Sequence, residues 1–323
     1  MTENNKWKYV LTAILLIAGI LVPFVTGNFL TRFFTNTLMF AILASSWNII
    51  GGFTGYASFG NVVFLGIGAY VSAILMEKFG FPFWAAFPLS GCGAATFAIL
   101  IGMPILRLKG HYFAIATLGV AEAVKALVDN LEITEGNSGI FLPVLDLSID
   151  GQYMFFYYMM LGTLVLTLFI TSILLKRKLG YGIIAIREDE DAASSLGVNT
   201  TFYKIIAYSL SGFFSGLAGS IYAYHQGFIK PESVFSVLTT VKMIVMAVFG
   251  GIGSLMGPLF GALSIEIISE LLSNYFLIAH TLFFGVVVIA AIIFTPKGIL
   301  DIISSRKKFG INYFLQNIRT YRI

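Results

Sequence analysis

Long apolar stretches, separated by short polar or glycine-rich turns, run along most of the chain. A helix that crosses a bilayer needs about 20 mostly apolar residues, and about ten stretches approach this length. The pattern predicts an all-α, polytopic integral membrane protein in which some spans are broken or re-entrant. The predicted spans are approximately Tyr9–Val25, Phe33–Ile50, Asn61–Met76, Phe83–Leu106, Tyr112–Val128, Tyr153–Leu175, Ile205–Tyr224, Val237–Phe249, Leu259–Leu277 and His280–Phe294. No clear small-residue cleavage site follows the first span, so we expect an uncleaved helix rather than a signal peptide.

The composition agrees with a lipid environment. Hydrophobic residues make up 58% of the 323 residues and charged residues 11%, whereas a soluble domain is roughly 45–50% apolar and about 25% charged. An ordinary cytosolic enzyme, a disordered chain and a disulfide scaffold are therefore excluded. The single cysteine, Cys92, lies in an apolar run and is expected to be a small packing residue. No metal site is predicted.

The few charges are unevenly distributed, and this predicts the orientation. The segment 129–150 carries five acids and no Lys or Arg, whereas Lys176, Arg177 and Lys178 open the next polar loop. Basic loops stay in the cytoplasm. We therefore expect a single transmembrane domain over residues 1–300, with an external loop at 129–152, a cytoplasmic loop at 176–204 and both termini inside. The basic tail, 301–323, is interpreted as a topological signal rather than a nucleic-acid patch.

Sequence motifs for catalysis are missing. The chain has no GxxxxGK[ST] motif, so it lacks the backbone cradle and the lysine that hold nucleotide phosphates. It has no GxSxG or kinase signature either. An intramembrane enzyme stays possible, although no nucleophile–base pair is visible, and we expect no cofactor bound by this chain. If ATP drives transport, separate subunits must bind ATP and Mg²⁺.

The polar loop 176–204 is the most informative segment. It is too polar to span a membrane, and its apolar positions predict one or two short helices on the cytoplasmic side. A short helix presented to the cytosol can dock into a groove of a partner protein. The other interpretation is a solvated connection.

Four motifs in chain order carry a family resemblance. Asp191-Ala192-Ala193-x-x-x-Gly197, preceded by Arg187 and Glu188, resembles the EAA-x-x-x-G coupling motif of ABC importer permeases. The segments 107–118, 134–139 and 250–262 resemble RLRGxYFAIxTL, TGGxxG and GG-x-G-x-x-x-GP-x-x-GA, with Glu135 where glycine is common. Over about residues 48–298, the chain is similar to the permease family of high-affinity branched-chain amino-acid importers, and within it to the LivM type.

This resemblance implies a transport component rather than an enzyme, and it implies a set of partners. It implies a multi-pass subunit of a prokaryotic cytoplasmic (inner) membrane that forms the translocation pathway for branched-chain or other hydrophobic amino acids. The implied partners are a LivH-type second permease, two ATPase subunits of the LivG and LivF type, and an extracytoplasmic amino-acid-binding protein. The residues implied to couple to the ATPases are Arg187, Glu188, Asp191, Ala192, Ala193 and Gly197.

Two glycine clusters and a few polar positions are further candidates. The clusters either permit close helix packing or mark broken helices that line the pathway with free backbone groups. They comprise Gly51, Gly52, Gly55 and Gly60, and Gly250, Gly251, Gly253, Gly257, Pro258 and Gly261. Thr134, Gly136, Asn137 and Gly139 form either an external contact for the binding protein or a plain turn.

Ionisable residues within spans are functional candidates by default. They are Glu122, Lys242, Glu266 and Glu270. Glu266 and Glu270 lie on one helix face and either line a polar cavity, pair with a base, or bind the coupling ion of a secondary transporter. Three alternatives stay open: a urea or short-amide importer permease, an ion-coupled secondary transporter, and a channel or membrane-anchored scaffold.

Overall fold

The structure is a computed structural model that describes residues 19–275 and Gly285. The beginning of the first predicted span, almost all of the tenth and the basic tail lie outside the described residues. Within them the chain is helical, apart from one two-stranded sheet. Residues 19–25 belong to the first helix, α1. The other helices are α2 (Asn28–Ile50), α3 (Val62–Glu77), α4 (Phe83–Ile105), α5 (His111–Asn130), α6 (Ile149–Leu175), α7 (Lys178–Glu188), α8 (Glu190–Ser195), α9 (Thr200–Gln226), α10 (Pro231–Val234), α11 (Val237–Gly251) and α12 (Gly257–Tyr275).

The long helices confirm an all-α polytopic membrane protein. Six segments of the described chain are long and apolar enough to cross a membrane: Asn28–Ile50, Phe83–Ile105, His111–Asn130, Ile149–Leu175, Thr200–Gln226 and Pro231–Gly251. The predicted loop 176–204 contains two short helices, α7 and α8, as expected from its apolar positions.

Helices α2, α3 and α9 form the centre of the bundle. In their most apolar stretches, 83% of α2 and 67% of α9 is buried, against 22% of α5. α9 packs most extensively on α4 and α3, while α12 packs on α11 and α2. Polar side chains connect the central helices. Ser220 on α9, for example, donates a hydrogen bond to Ser72 on α3 at 2.8 Å, and such bonds hold membrane helices together where water cannot compete.

The bundle has two ends, which we name by their connecting segments. At the α5–α6 end, Lys78 pairs with Glu135 at 3.5 Å, and strand β1 (Ile140–Phe141) pairs antiparallel with β2 (Phe228–Ile229). At the α7–α8 end, Lys109 pairs with Asp191 at 2.6 Å. Successive connections alternate between the two ends, as a chain that crosses back and forth requires.

Helix α3 starts inside the bundle rather than at one end. The side-chain amide of Asn61, just before α3, donates to the hydroxyl of Ser211 at 3.1 Å, and Ser211 lies about 16 Å along α9 from its first residue. α3 has 16 residues and is about 24 Å long, which is shorter than the roughly 30 Å hydrocarbon core. The stretch between α2 and α3 therefore re-enters the bundle.

Helix α11 starts at the same depth and runs the opposite way. Thr240, in its first turn, accepts a hydrogen bond from the backbone amide of Val62 at 3.2 Å. α3 continues from there to the α5–α6 end and α11 to the α7–α8 end. The chain thus contains broken helices, and two N-termini meet inside the bundle.

One expectation from the apolar pattern is wrong. Cys92 is exposed on α4 and does not pack inside the bundle. An apolar run in a membrane helix includes a lipid-facing side, so apolar neighbours do not indicate which face is buried.

Candidate functional site

The α8 helix has a cap at each end. Before its first turn, the carboxylate of Asp189 accepts hydrogen bonds from the amides of Asp191 and Ala192, both at 2.9 Å. After its last turn, the amides of Gly197 and Val198 donate to the carbonyls of Ser194 and Ala193, both at 3.0 Å. This second pair is a Schellman motif, which needs a left-handed residue after the helix.

Gly197 supplies that left-handed residue. Its φ is +88°, and a Cβ built on it would meet no atom within 4 Å. Its role is therefore conformational, because glycine adopts a positive φ without steric cost. The spacing of the coupling motif now has a physical reason: six residues form the helix, and the glycine ends it.

A buried lysine ties α8 to the bundle. Lys204, in the first turn of α9, has a side chain only 4% exposed. Its ammonium donates to Glu190 at 2.7 Å, to the carbonyl of Leu106 at 2.7 Å and to the hydroxyl of Tyr56 at 3.0 Å. The Tyr56 hydroxyl in turn hydrogen-bonds Glu190. We name these four residues the Lys204 network.

The network keeps Glu190 ionised. Burial by itself raises the pKa of this carboxyl, but the hydrogen bonds from Lys204 and Tyr56 stabilise the carboxylate more strongly. The net result is a pKa of Glu190 below its ordinary value. A buried ion pair with additional hydrogen bonds is a fixed connection, and it joins α8 to the α2–α3, α4–α5 and α9 segments.

Arg187 contacts both glycine clusters, one in the α2–α3 connection and one in the α11–α12 connection. Its side chain lies beside Gly55, and its guanidinium occupies the space that a Cβ on Gly253 would need. The last turn of α2 also bonds to the turn between α11 and α12. Asn48 donates to the carbonyl of Ser254 at 2.9 Å and accepts from the amide of Gly253 at 2.8 Å. Arg187, one of the predicted coupling residues, therefore connects α7 to both glycine clusters at the α7–α8 end.

Close packing accounts for several of the glycines. A Cβ on Gly60 would collide with the carbonyl of Thr117 in α5, and one on Gly261 with the carbonyl of Met246 in α11. Gly250 lies against the backbone of Gly257 in the same way. These contacts support the packing interpretation, since only glycine lets two backbones approach so closely.

The other interpretation, in which broken helices offer free backbone groups to the pathway, fits the start of α3 less well. The first amides of α3 all have partners: Val62 donates to Thr240, Val63 to the carbonyl of Gly60 at 3.0 Å and Phe64 to that of Asn61 at 3.2 Å. The point where the N-termini of α3 and α11 meet does not include four of the clustered residues, which lie nearer the α7–α8 end: Gly51, Gly52, Gly251 and Pro258. A role of either cluster in the pathway stays a prediction.

The outer surface of α7 and α8 exposes apolar side chains. Leu196 is 86% exposed and Tyr181 is 68% exposed. Ala192 is exposed as well, whereas Ala193 is buried beneath α8. Glu188 and the exposed ion pair of Lys109 and Asp191 lie beside this surface. An apolar surface with charges at its edge is typical of a protein contact.

The loop of the α5–α6 end is ordered by its own bonds. Thr134 donates to the carbonyls of Val128 and Leu131 at 2.6 and 2.7 Å, and Gly139 packs against β2. Glu135 has a φ of +57° and is the only non-glycine residue with a positive φ among the described residues. Glycine adopts a left-handed backbone without steric cost, which gives a physical reason for the glycine of the TGGxxG motif at this position. Gly136 and Asn137 lie in the 3₁₀ turn that follows it.

The charges inside the bundle are partly paired. Lys242 on α11 lies 2.5 Å from Glu266 on α12 and 4.4 Å from the ring centre of Phe40. Glu266 and Glu270 both line a cavity near α2 and α9, and of these two acids only Glu266 has a base partner among the ion pairs of the described residues. The roles of both acids stay predictions. Glu122 is on the exposed face of α5, away from this group. The described residues contain no group of three or more His, Cys, Asp or Glu that could hold a metal ion.

Sequence reasoning missed several of these residues. Lys204 and Glu190 lie within the segment recognised as informative, but nothing in it indicated that they pair. Arg32 and His225 line the cavity beside Glu266. Arg32 precedes the predicted second span, and His225 is isolated in sequence. An ionisable residue within a turn of a span boundary was the signal that could have found both.

These features define a class: an all-α, multi-pass membrane protein whose short helices α7 and α8 expose apolar side chains at one end. The comparisons with known proteins assign it further. The chain belongs to the family described as the permease component of the branched-chain amino acid transport system, whose profile matches residues 29–295.

Individual relatives agree with this assignment. The chain is 33% identical to the high-affinity branched-chain amino acid transport system permease protein LivM of Salmonella typhimurium (strain LT2), over 91% of its own length and 75% of that protein. The LivM of Escherichia coli (strain K12) shows the same figures. The LivH permease of Escherichia coli (strain K12) is 26% identical, over 73% of this chain and 82% of LivH. No solved structure shows significant similarity.

Proposed function

We propose that this chain is a LivM-type permease subunit that forms part of the translocation pathway of an ATP-driven importer for branched-chain amino acids. The single observation that carries the proposal is the α7–α8 segment, a capped helix with an exposed apolar face that is fixed to the bundle by the Lys204 network. A partner that moves α8 would also move the segments that the Lys204 network joins to it, which are the α2–α3 and α4–α5 connections and the start of α9. Membership of the permease family supports the substrate class.

The proposal includes partners that complete the transporter. A LivH-type permease is the second membrane subunit, and LivG- and LivF-type ATPases bind ATP and dock on α8 through Leu196, Ala192 and their neighbours. An extracytoplasmic binding protein delivers the amino acid at the α5–α6 end. The ordered loop around Thr134 and Gly139 supports a contact there, because a preorganised loop loses little entropy on binding.

We place the α7–α8 end in the cytoplasm of a prokaryotic inner membrane and the α5–α6 end outside. The acidic loop 129–150 and the basic residues 176–178 support this orientation. With about ten spans, both termini lie inside.

The other functions have less support. The pairing of Glu266 with Lys242 leaves fewer free carboxylates for a coupling ion than a secondary transporter of this kind would use. An ATP-independent transporter or channel has no use for α8 and its caps. A urea importer shares the coupling segment, and the named relatives favour amino acids over it.

Cysteine cross-linking in the assembled complex tests the docking surface. Because Cys92 is the only cysteine, a C92S background is cysteine-free. Leu196→Cys and Val144→Cys then form a matched pair, since both positions are 86% exposed and lie at opposite ends of the bundle. We expect a bifunctional maleimide to join position 196, but not position 144, to an ATPase subunit.

The same two variants test the orientation. In intact cells, a membrane-impermeant maleimide added outside should label position 144 and leave position 196 unlabelled until the membrane is permeabilised. Cross-linking of position 144 to the ATPase, or external labelling of position 196, would overturn the proposed arrangement.

A further inference from the structure

A cavity of about 280 Å³ opens near the α5–α6 end, between α2, α9 and α12. Arg32 and Asn36 line it from α2, His225 from α9, and Glu266 and Glu270 from α12. At about 30 Å³ per water molecule, it holds roughly nine waters, which is of the order of one free amino acid. We name it the α2–α12 cavity.

The cavity continues sideways from its rim. A second cavity of about 240 Å³ shares Arg32, His225 and Gln226 with it and reaches Gln152 and Tyr153 on α6. The rim is close to the surface of the bundle, because Asn28, one turn before Arg32, bonds Asp150 at the start of α6 at 2.7 Å. A solute that arrives at the α5–α6 end therefore meets Arg32 first.

In the inner part of the cavity, the negative charge of Glu266 is compensated by Lys242. Glu266 is 5% exposed and pairs with Lys242, so its charge is compensated by the protein. Glu270 lies one turn nearer the rim and is half-buried. Among the ion pairs of the described residues, neither Arg32 nor Glu270 takes part. The cavity therefore offers one cationic and one anionic group, on two different helices.

This combination has a chemical specificity. An ionisable side chain in a membrane protein is costly and is retained where it serves a pathway or a partner. An inorganic anion would be repelled by Glu270 and a metal cation by Arg32, while an uncharged solute gains from neither charge. A free amino acid carries both an ammonium and a carboxylate, and Phe29 and Phe33 add apolar surface for its side chain.

We propose that the α2–α12 cavity binds the zwitterionic head group of a free amino acid on its way through the permease. Arg32 holds the carboxylate, in the bidentate geometry that guanidinium favours, and Glu270 holds the ammonium. This inference rests on the proposed import function and adds to it a site within the permease itself. The amino acid is then recognised twice, by its binding protein and by this cavity.

Ligand binding to the complex in nanodiscs, prepared without the binding protein, tests the site. Saturation-transfer NMR suits a weak site, and three probes separate the charges: leucine, leucinamide, which lacks the carboxylate, and 4-methylpentanoate, which lacks the ammonium. We expect R32Q to weaken leucine and 4-methylpentanoate binding at least tenfold and not to weaken leucinamide binding, because Arg32 repels a cation. E270Q should weaken leucine and leucinamide binding and should not weaken 4-methylpentanoate binding, because Glu270 repels an anion.

Two control variants make the result decisive. E122Q removes a carboxylate from the exposed face of α5, outside the cavity, and should bind all three probes as the unmodified chain does. R32K keeps the positive charge and should retain more leucine binding than R32Q. Unchanged leucine binding in R32Q and E270Q, equal losses for all three probes, or no leucine binding by the unmodified complex would each overturn the proposal.

Uptake by the same preparations separates this inference from the proposed function. With the binding protein added, the unmodified complex should import leucine when ATP is supplied. If it does so while the cavity variants bind leucine normally, only the cavity proposal fails. If import does not depend on ATP, the proposed function fails, whatever the cavity binds.

Discussion

Removing the ammonium of Lys204 should destabilise the protein more than any exposed substitution nearby. The side chains of Lys204 and Glu190 are 4% and 15% exposed, so Lys204→Met leaves a mostly buried carboxylate without its cation. Breaking a buried pair by removing one partner costs about 3–5 kcal/mol. Tyr56 still donates to Glu190, so we expect the lower part of that range, about 3 kcal/mol.

A double-mutant cycle isolates the pair. In Lys204→Met with Glu190→Gln, no charge is left buried, so the double variant should be more stable than Lys204→Met alone. We expect an interaction free energy of about 1.5 kcal/mol or more between the two sites. Reversible unfolding in mixed micelles with rising dodecyl sulfate, followed by tryptophan fluorescence, measures all four free energies.

The exposed pair of Lys109 and Asp191 provides the matched control. Its side chains are 56% and 85% exposed, and exposed pairs contribute about 0–1 kcal/mol. The same cycle with Lys109→Met and Asp191→Asn should give an interaction free energy near zero. Strictly additive effects of the Lys204 and Glu190 substitutions, or an equally strong coupling of the exposed pair, would refute the reasoning.

Three further predictions concern the capped helix and the two ends. The pKa of Glu190 is lower in the folded protein than its ordinary value of about 4.3, so its stabilising contribution is complete above that pH and is lost as the pH falls through the folded pKa. The difference in unfolding free energy between the unmodified chain and Glu190→Gln should therefore shrink on acidification, and a constant difference would contradict this. Gly197→Ala should cost about 1–2 kcal/mol of local helix stability because the backbone at position 197 is left-handed, and Gly197→Asn should cost less. Faster amide hydrogen exchange at 193–198 and weaker stimulation of the ATPase would show this loss, whereas full uptake by Gly197→Ala would argue against the coupling role. Glu135→Gly removes the strain of a positive φ but also removes the ion pair with Lys78, which is worth about 0–1 kcal/mol. The free energy of unfolding should therefore stay unchanged or rise by up to about 1 kcal/mol. The control Glu132→Gly, at a residue without a positive φ, should lower it.

The sequence predicted the elements well where a helix crosses the bundle without interruption. The fourth predicted span, Phe83–Leu106, differs from α4 by one residue, because an apolar run between polar turns has only one way to satisfy its backbone in lipid. The segment that contains α7 and α8 was also recognised from sequence, since a polar stretch is conspicuous in an apolar chain.

The broken helices could only partly be predicted. Glycine clusters indicated that breaks exist, but α3 and α11 meet through Val62 and Thr240, which are far apart in sequence. Their contact depends on the tertiary packing of the bundle and leaves no local signal in the sequence. The Lys204 network and the α2–α12 cavity are of the same kind, because each collects side chains from three or more separate segments.

Leucine uptake into proteoliposomes that contain the complete complex tests the central claim most directly. We predict that uptake requires ATP on the side of the α7–α8 end and the binding protein on the side of the α5–α6 end, and that it is insensitive to ion gradients. Uptake that an ion gradient drives without ATP would contradict the account.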